Sequence, residues 1–185
     1  DEGVRAAGAL DDAAAILVVG RDPELSAWAA RGLARGQATR RRVAIGDLVG
    51  EVGPLQALVP PDDDAHGITD SFLYGVSLNR IARPVAGEPN LFVLPSGSEP
   101  VASAEILGSE RWRRLAAGFR EVGALLVLVA PGDAPGLDVL ATMVDGIVHA
   151  GDAAGLLPEA PPPVAVIAPP TTRRRGARAD AAPPV

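Results

Sequence analysis

The chain contains no lysine; all 17 of its basic residues are arginine. It contains no cysteine either, which excludes disulfides, thiolate metal sites and cysteine nucleophiles and is compatible with a cytosolic setting. Aromatic residues are scarce, with 3 Phe, 2 Trp and 1 Tyr, so a core drawn from a 48% apolar composition must be built from Ala, Val, Leu and Ile. No apolar run approaches the roughly 20 residues of a membrane span, and no signal-peptide pattern is present. A formal charge of −6 argues against bulk nucleic-acid binding. The 185 residues suit one domain and a tail. The first residues are Asp1-Glu2 rather than Met, which leaves open whether the chain is a fragment of something longer with an upstream membrane segment.

What is present alternates between strand-like and helix-like segments. Ala13 to Val19 is apolar on both faces and reads as a buried parallel strand. Pro23 to Arg35 reads as a helix, with Pro23 in its first turn and Leu25, Trp28, Ala29 and Leu33 on one face. Further strands are expected at Val43 to Ile45, Asn90 to Leu94, Ala124 to Val129 and Asp145 to His149. Helices are expected at Ile68 to Tyr74, at Ser103 to Val122 (the longest) and at 135 to 143, and residues 60 to 66 form an acidic loop. This order predicts an α/β fold, a mostly parallel sheet flanked by helices on both faces. A domain over 1–157 carries 13 arginines against 21 acids, a balance of −8; the segment 158–185 carries 4 arginines against 2 acids, a balance of +2. That segment, rich in Pro, Ala and Arg, reads as a flexible tail, although Val164 to Ala168 has the composition of a last strand. There is no internal repeat.

Several segments together resemble the cytoplasmic domain of bacterial tyrosine kinases (BY-kinases) of the CpsD/Wzc-like type, members of the MinD/ParA group of P-loop ATPases. They are Gly67-Ile68-Thr69-Asp70 with Phe72-Leu73-Tyr74-Gly75, then Asn90 to Gly97 (NLFVLPSG), Ala104 to Glu110 (AEILGSE), and Asp138-Val139-Leu140 with Val144 to Val148 (VDGIV). They occur in family order and span roughly residues 13 to 150. The resemblance implies a P-loop NTPase-like fold of the MinD/ParA type, ATP and Mg²⁺ as cofactors, and work in exopolysaccharide or capsule synthesis or export. It implies partners among polysaccharide synthesis or export proteins, including a membrane-embedded co-polymerase. It also implies homo-oligomers, and a cytoplasmic location at the inner face of the membrane.

The catalytic motifs of that family are damaged in this chain. A P-loop needs small residues whose backbone N–H groups wrap the phosphates, then Lys, then Ser or Thr for Mg²⁺. Val19 to Ser26 matches only at Gly20 and Ser26. Glu24 stands at the second glycine, Leu25 at the lysine, and Pro23 removes a backbone donor. Arg21 is not an equivalent of the compact lysine ammonium. Asp22 and Glu24 would repel a polyphosphate by on the order of several kcal/mol each at about 4 Å. The family's second motif keeps one acid, Asp47, with Pro54 beyond it but no arginine pair; its third has become Leu128-Val129-Ala130-Pro131, with Asp133 out of register. The sole tyrosine is Tyr74, so the tyrosine-rich tail is missing, and the oligomerisation motif survives at most as Glu2 and Arg5, with Gly8 at its third position.

These losses predict no catalytic residue, no cofactor, no metal and no nucleic acid. Vestiges of the nucleotide site are expected at Gly20, Arg21, Asp22, Glu24, Leu25, Ser26 and Asp47. The domain is then a pseudoenzyme acting as scaffold or regulator. The alternatives are a residual ATP-binding tyrosine kinase, with Arg21 replacing the lysine and Asp47 holding metal through water, and a MinD/ParA-like positioning module. Other residues favour plain readings. His66 beside Asp62-Asp63-Asp64 is more simply a solvated acidic loop than a metal site, because no second histidine or cysteine is near. His149, Trp28 and Trp112 read as packing groups. Ser96 lacks the frame of an elbow nucleophile, and Arg40-Arg41-Arg42 reads as a charged loop before a strand.

Overall fold

A computed structural model describes residues 10–50, 52–59 and 66–169. In chain order its elements begin with β1 (Ala15–Gly20), α1 (Pro23–Ala38), β2 (Val43–Asp47), α2 (Gly53–Gln56), α3 (Ile68–Tyr74), α4 (Leu78–Ile81) and β3 (Arg83–Val85). They continue with β4 (Glu88–Leu94), α5 (Ala104–Leu107), α6 (Arg111–Glu121), β5 (Leu125–Pro131), α7 (Leu137–Ala141), β6 (Gly146–Ala150) and β7 (Ala165–Ile167). The strands form one seven-stranded sheet in the order β3-β4-β2-β5-β1-β6-β7. All neighbours are parallel except β3, which runs antiparallel to β4. The expected fold class therefore holds: a mostly parallel α/β sheet covered on both faces.

The period-2 geometry of strands sorts the apolar residues into two cores. On one face, Ile16 and Val18 of β1, Val43 and Ile45 of β2 and Val127 and Val129 of β5 meet α1. Helix α1 presents Ala27, Ala30, Leu33 and Ala34 to them. On the other face, Leu17, Val19, Leu126, Leu128 and Ile147 meet Ile68, Leu107, Trp112 and Leu140 from the remaining helices. Trp112, the largest fully buried side chain, donates its indole N–H to the carbonyl of Ile106 (2.7 Å) and packs on Phe72 with ring centroids 4.5 Å apart.

Several elements differ from the sequence expectation or extend it, among them the short helices α2 and α4, which had no counterpart there. The single helix expected over Ser103 to Val122 is two, α5 and α6, broken at Gly108-Ser109-Glu110, so α1 rather than this segment is the longest helix. A Cβ at Gly108 would sit 2.7 Å from the carbonyl of Ala104, and the Ser109 hydroxyl accepts from Arg111 N at 3.3 Å, opening the second helix. Strand β3 had no counterpart in the sequence reading; it is three residues long, contains Pro84 and lies at the sheet edge, where a missing N–H is tolerated. The Val164 to Ala168 segment does form a strand, β7, which pairs with β6 and carries the sheet past residue 158. The acidic residues Asp62, Asp63 and Asp64, the segment Asp1 to Ala9 with Glu2, Arg5 and Gly8, and residues 170–185 lie outside the described residues.

Candidate functional site

Strand β5 lies between β1 and β2, so the C-terminal ends of the three central strands are neighbours, with Gly20 opposite Pro131 and Asp47 opposite Val129. In open α/β sheets a ligand crevice forms at this edge, where the order of strands reverses. Every surviving candidate residue lies there, and the local geometry decides what each can do.

The connection from β1 to α1 consists of Arg21 and Asp22 alone, because Pro23 already begins the helix. A loop this short leaves no row of free N–H groups to wrap a polyphosphate. The helix N-terminus itself is occupied by the protein: Asp22 caps α1, its Oδ1 accepting from Glu24 N at 2.9 Å and Leu25 N at 3.3 Å. A carboxylate is what the positive end of a helix favours, and here it takes the place an anionic ligand would take. Ser26, fully buried, donates its hydroxyl to the carbonyl of Asp22 (3.0 Å) and so turns into its own helix. Gly20 is required by packing: a Cβ there would stand 2.4 Å from the carbonyl of Ala150 and 2.8 Å from Ser26 Oγ.

The segment after β6 lies over the same edge. Arg21 Nη2 donates to the carbonyl of Ala154 (2.8 Å). A Cβ on Gly151 would meet Leu25 Cδ2 at 2.8 Å, and one on Gly132 would meet Leu156 Cδ1 at 2.7 Å and the carbonyl of Gly20 at 3.0 Å. Residues 151–156 thus cover the ends of β1 and β5, and Leu25, at the position of the lysine, packs beneath them. Sequence reading missed this cover. Its signal was weak: a run from Gly151 to Leu157 with neither helical nor strand period.

Asp47 is buried at the end of β2, where its Oδ1 accepts from Val49 N (3.0 Å) and Gly50 N (2.9 Å) and closes a turn. With Gln56, Pro95, Ser96 and Gly97 it lines a cleft of about 300 Å³. At the third-motif position, Ala130 is buried and offers no acid, while Asp133 is exposed two residues past the strand. Among the described residues no three His, Cys, Asp or Glu side chains cluster to hold a metal ion. Asp22, Glu24 and Asp47 therefore share one end of the sheet with Gly20, Arg21, Leu25 and Ser26, and there Asp22 Oδ1, Asp47 Oδ1, Arg21 and Ser26 each hydrogen-bond to backbone.

The segments 67–71 and 95–99 form a lock beside this edge. Ile68 N and Thr69 N donate to the carbonyls of Pro95 (2.8 Å) and Ser96 (3.0 Å). Gly67 and Gly97 touch so closely that a Cβ on Gly67 would fall 2.3 Å from Gly97 N. Asp70 is buried at the centre of the lock, accepting from Gly67 N (2.7 Å) and the Ser98 hydroxyl (2.9 Å). Burial opposes its ionisation, but the hydrogen bonds from Gly67 and Ser98 and the nearby His66 outweigh that and hold its carboxyl below the usual range. His66 Nδ1 lies 3.7 Å from Asp70 Oδ1. Arg111 reaches across to Ser71, donating to its carbonyl and, at 2.8 Å, to its hydroxyl.

The remaining candidates are structural. Arg40 pairs with Asp11 (2.6 Å), and Arg41 donates to the carbonyls of Ala13 (2.7 Å) and Leu10 (2.8 Å), so the first two of the three arginines pin the entry to β1. His149 is half-buried in β6, and that burial pushes its pKa down. Tyr74 is exposed, and its phenol donates to Glu99, which pushes the phenol above its ordinary value. Among the described residues no helix is long and apolar enough to cross a membrane.

No protein-family model matches the chain, and no curated protein matches it. Its fold does match solved structures. The kinase domain of the Escherichia coli tyrosine kinase ETK superposes with a TM-score of 0.62 at 18% identity, over 75% of this chain and 55% of that one. The VpsO kinase domain gives 0.60 at 18% identity, over 80% and 79%. The BceF tyrosine kinase domain gives 0.60 at 19%, over 80% and 60%. The chain thus has the fold of bacterial tyrosine kinase domains, and it spans little more than half of the ETK domain's length.

Proposed function

We propose that this domain is a non-catalytic counterpart of the bacterial tyrosine kinase domains whose fold it shares, acting as a scaffold or regulatory partner in exopolysaccharide or capsule synthesis or export. One observation carries the reading: the helix N-terminus that a P-loop protein offers to phosphate holds the chain's own Asp22 carboxylate. Three further features support it. No lysine exists anywhere in the chain to reach a β- or γ-phosphate. Leu25 is packed against Gly151, and the serine that would meet Mg²⁺ donates inward. In this reading neither ATP nor Mg²⁺ is a cofactor. The partners are polysaccharide synthesis or export proteins, including a membrane-embedded co-polymerase. The location is cytoplasmic, at the inner face of the membrane through such a partner. The lock between Gly67–Ser71 and Pro95–Glu99 preserves the fold that those contacts need.

Titration calorimetry with ATP and ADP in the presence of Mg²⁺ tests the reading. No binding heat is expected up to millimolar nucleotide. ATP hydrolysis by the purified protein that is lost in Asp47→Ala would overturn it in favour of a residual kinase.

A further inference from the structure

The face of the sheet that carries α3 to α7 is incompletely covered. Residues of α4 and α6 with those of β2 and β4 line an open groove of about 450 Å³, within the range of small-molecule sites. Ala44 and Phe92 form its floor, and Leu78 from α4 and Leu115 and Phe119 from α6 form its walls. Its only charged lining residues are Arg42 and Arg114. Both are exposed, and neither guanidinium has a hydrogen-bond or ion-pair partner among the described residues. In a chain with a formal charge of −6, an apolar groove flanked by two unpaired guanidinium groups and no carboxylate is a local inversion of the surface.

Helix α6 supplies a second, independent observation. Leu115, Gly118, Phe119 and Val122 share one face at i, i+3, i+4 and i+7, and all four line the groove. A glycine inside a helix lowers stability relative to alanine, so one at position 118 needs a reason. A Cβ there would meet nothing within 4 Å, so packing against the protein is not that reason. What Gly118 does is keep the groove wide. Val122 beside it is a large apolar side chain left 76% exposed at the groove's lower end.

We infer that this groove is a binding site for a small amphiphile with an anionic head, a carboxylate or phosphate on an alkyl or similar apolar tail. The tail lies on Ala44 and Phe92 between the two helices and passes Gly118. The head pairs with Arg114 or Arg42, the arginine fork being suited to either oxyanion. The site is separate from the Asp22 and Asp47 edge and does not depend on the fate of the nucleotide pocket.

Dodecanoate, dodecyl phosphate and dodecyltrimethylammonium, each below its micelle concentration, serve as probes in titration calorimetry with the whole chain. Single-site saturation by the two anions is expected, with the cation at least about tenfold weaker, as guanidinium–oxyanion pairing requires. Arg114→Glu should weaken the anions by at least about tenfold. Gly118→Leu fills the groove while improving helix propensity, so it should abolish uptake with an unchanged or raised unfolding midpoint. Two results would overturn the proposal: no saturable anion binding by the wild type, or equal binding by Gly118→Leu or by the cation. Dimerisation that Gly118→Leu removes, without anion uptake, would assign the groove to a second copy and also overturn it. Should Gly118→Leu fail to fold, Arg114→Glu, an exposed change, gives the same decision.

Discussion

Asp22→Ala separates a helix cap from a remnant of catalysis. Its carboxylate holds two backbone N–H groups of α1, at 2.9 and 3.3 Å. Loss of such a cap costs about 1 kcal/mol, and its charge on the helix dipole adds about 0.3–1 kcal/mol when exposed, as here. The sum, roughly 1–2 kcal/mol, corresponds to a fall in Tm of about 2–8 °C for a domain of this size. Asp22→Asn keeps an acceptor and should lose only about 0.3–1 kcal/mol, the charge share. The assay is thermal unfolding followed by circular dichroism, with and without ATP and Mg²⁺. A nucleotide held at about 100 times its Kd would stabilise the fold by about 2.7 kcal/mol, an easily read shift. No shift is expected for the wild type or for either variant, since residues 151–156 still cover the site after the cap is gone. An ATP-dependent rise of that size in the wild type would refute the reasoning about the pocket. An Asp22→Ala protein as stable as wild type would refute the reasoning about the cap.

Other outcomes follow from the same geometry. Gly20→Ala places a methyl 2.4 Å from the carbonyl of Ala150 and should cost about 1–3 kcal/mol of overpacking, read from urea unfolding and independent of nucleotide. Asp145 Oδ2 accepts from Ala14 N (2.7 Å) and Ala15 N (3.0 Å), and its other oxygen pairs with Arg120, stapling the starts of β1 and β6. Asp145→Ala should therefore destabilise by about 2–4 kcal/mol, each bond to a charged acceptor contributing about 1.5–3 before partial rehydration. Burial opposes ionisation of Asp145, but the N–H groups of Ala14 and Ala15 and the Arg120 guanidinium prevail, so its carboxyl, like that of Asp70, titrates below the usual range. Both groups thus stabilise the fold above the unfolded-state value of about pH 4, and that stability is lost as pH falls from there through the folded values. The urea midpoint should drop below pH 4 in the wild type, with a shallower slope in Asp70→Asn and Asp145→Asn.

Much of the fold was legible in the sequence because its core strands are apolar on both faces. Val43 to Ile45 and Ala124 to Val129 read as interior strands of a parallel sheet and fall on β2 and β5, and α3 was located from Ile68 to Tyr74 as it stands. The break at Gly108 to Glu110 escaped because Leu107, Leu115 and Phe119 keep a helical rhythm across it; the glycine's tight approach to Ala104 is a tertiary fact. Of the candidate site, the identities at positions 24 and 25 could be read directly, but not their surroundings. Nothing local announces that Asp22 turns onto its own helix rather than outward, or that Leu156 comes to rest on Gly132. The groove between α4 and α6 was illegible for the same reason: its residues come from four separate segments, and its clearest mark, Gly118, is defined by what is absent around it.

Strand β7 ends the sheet with three residues, and Val164 and Val166 stand 46% and 64% exposed on that margin. An unpaired margin bearing exposed valines is a template onto which another chain can add and fibrils can grow. Here Pro161-Pro162-Pro163 precede the strand and Pro169 follows it. None of these residues can donate an N–H to an incoming strand. The opposite margin, β3, carries Pro84 in its middle. A strand added at either margin would thus meet prolines that limit it to a short run of hydrogen bonds, three residues long at β7.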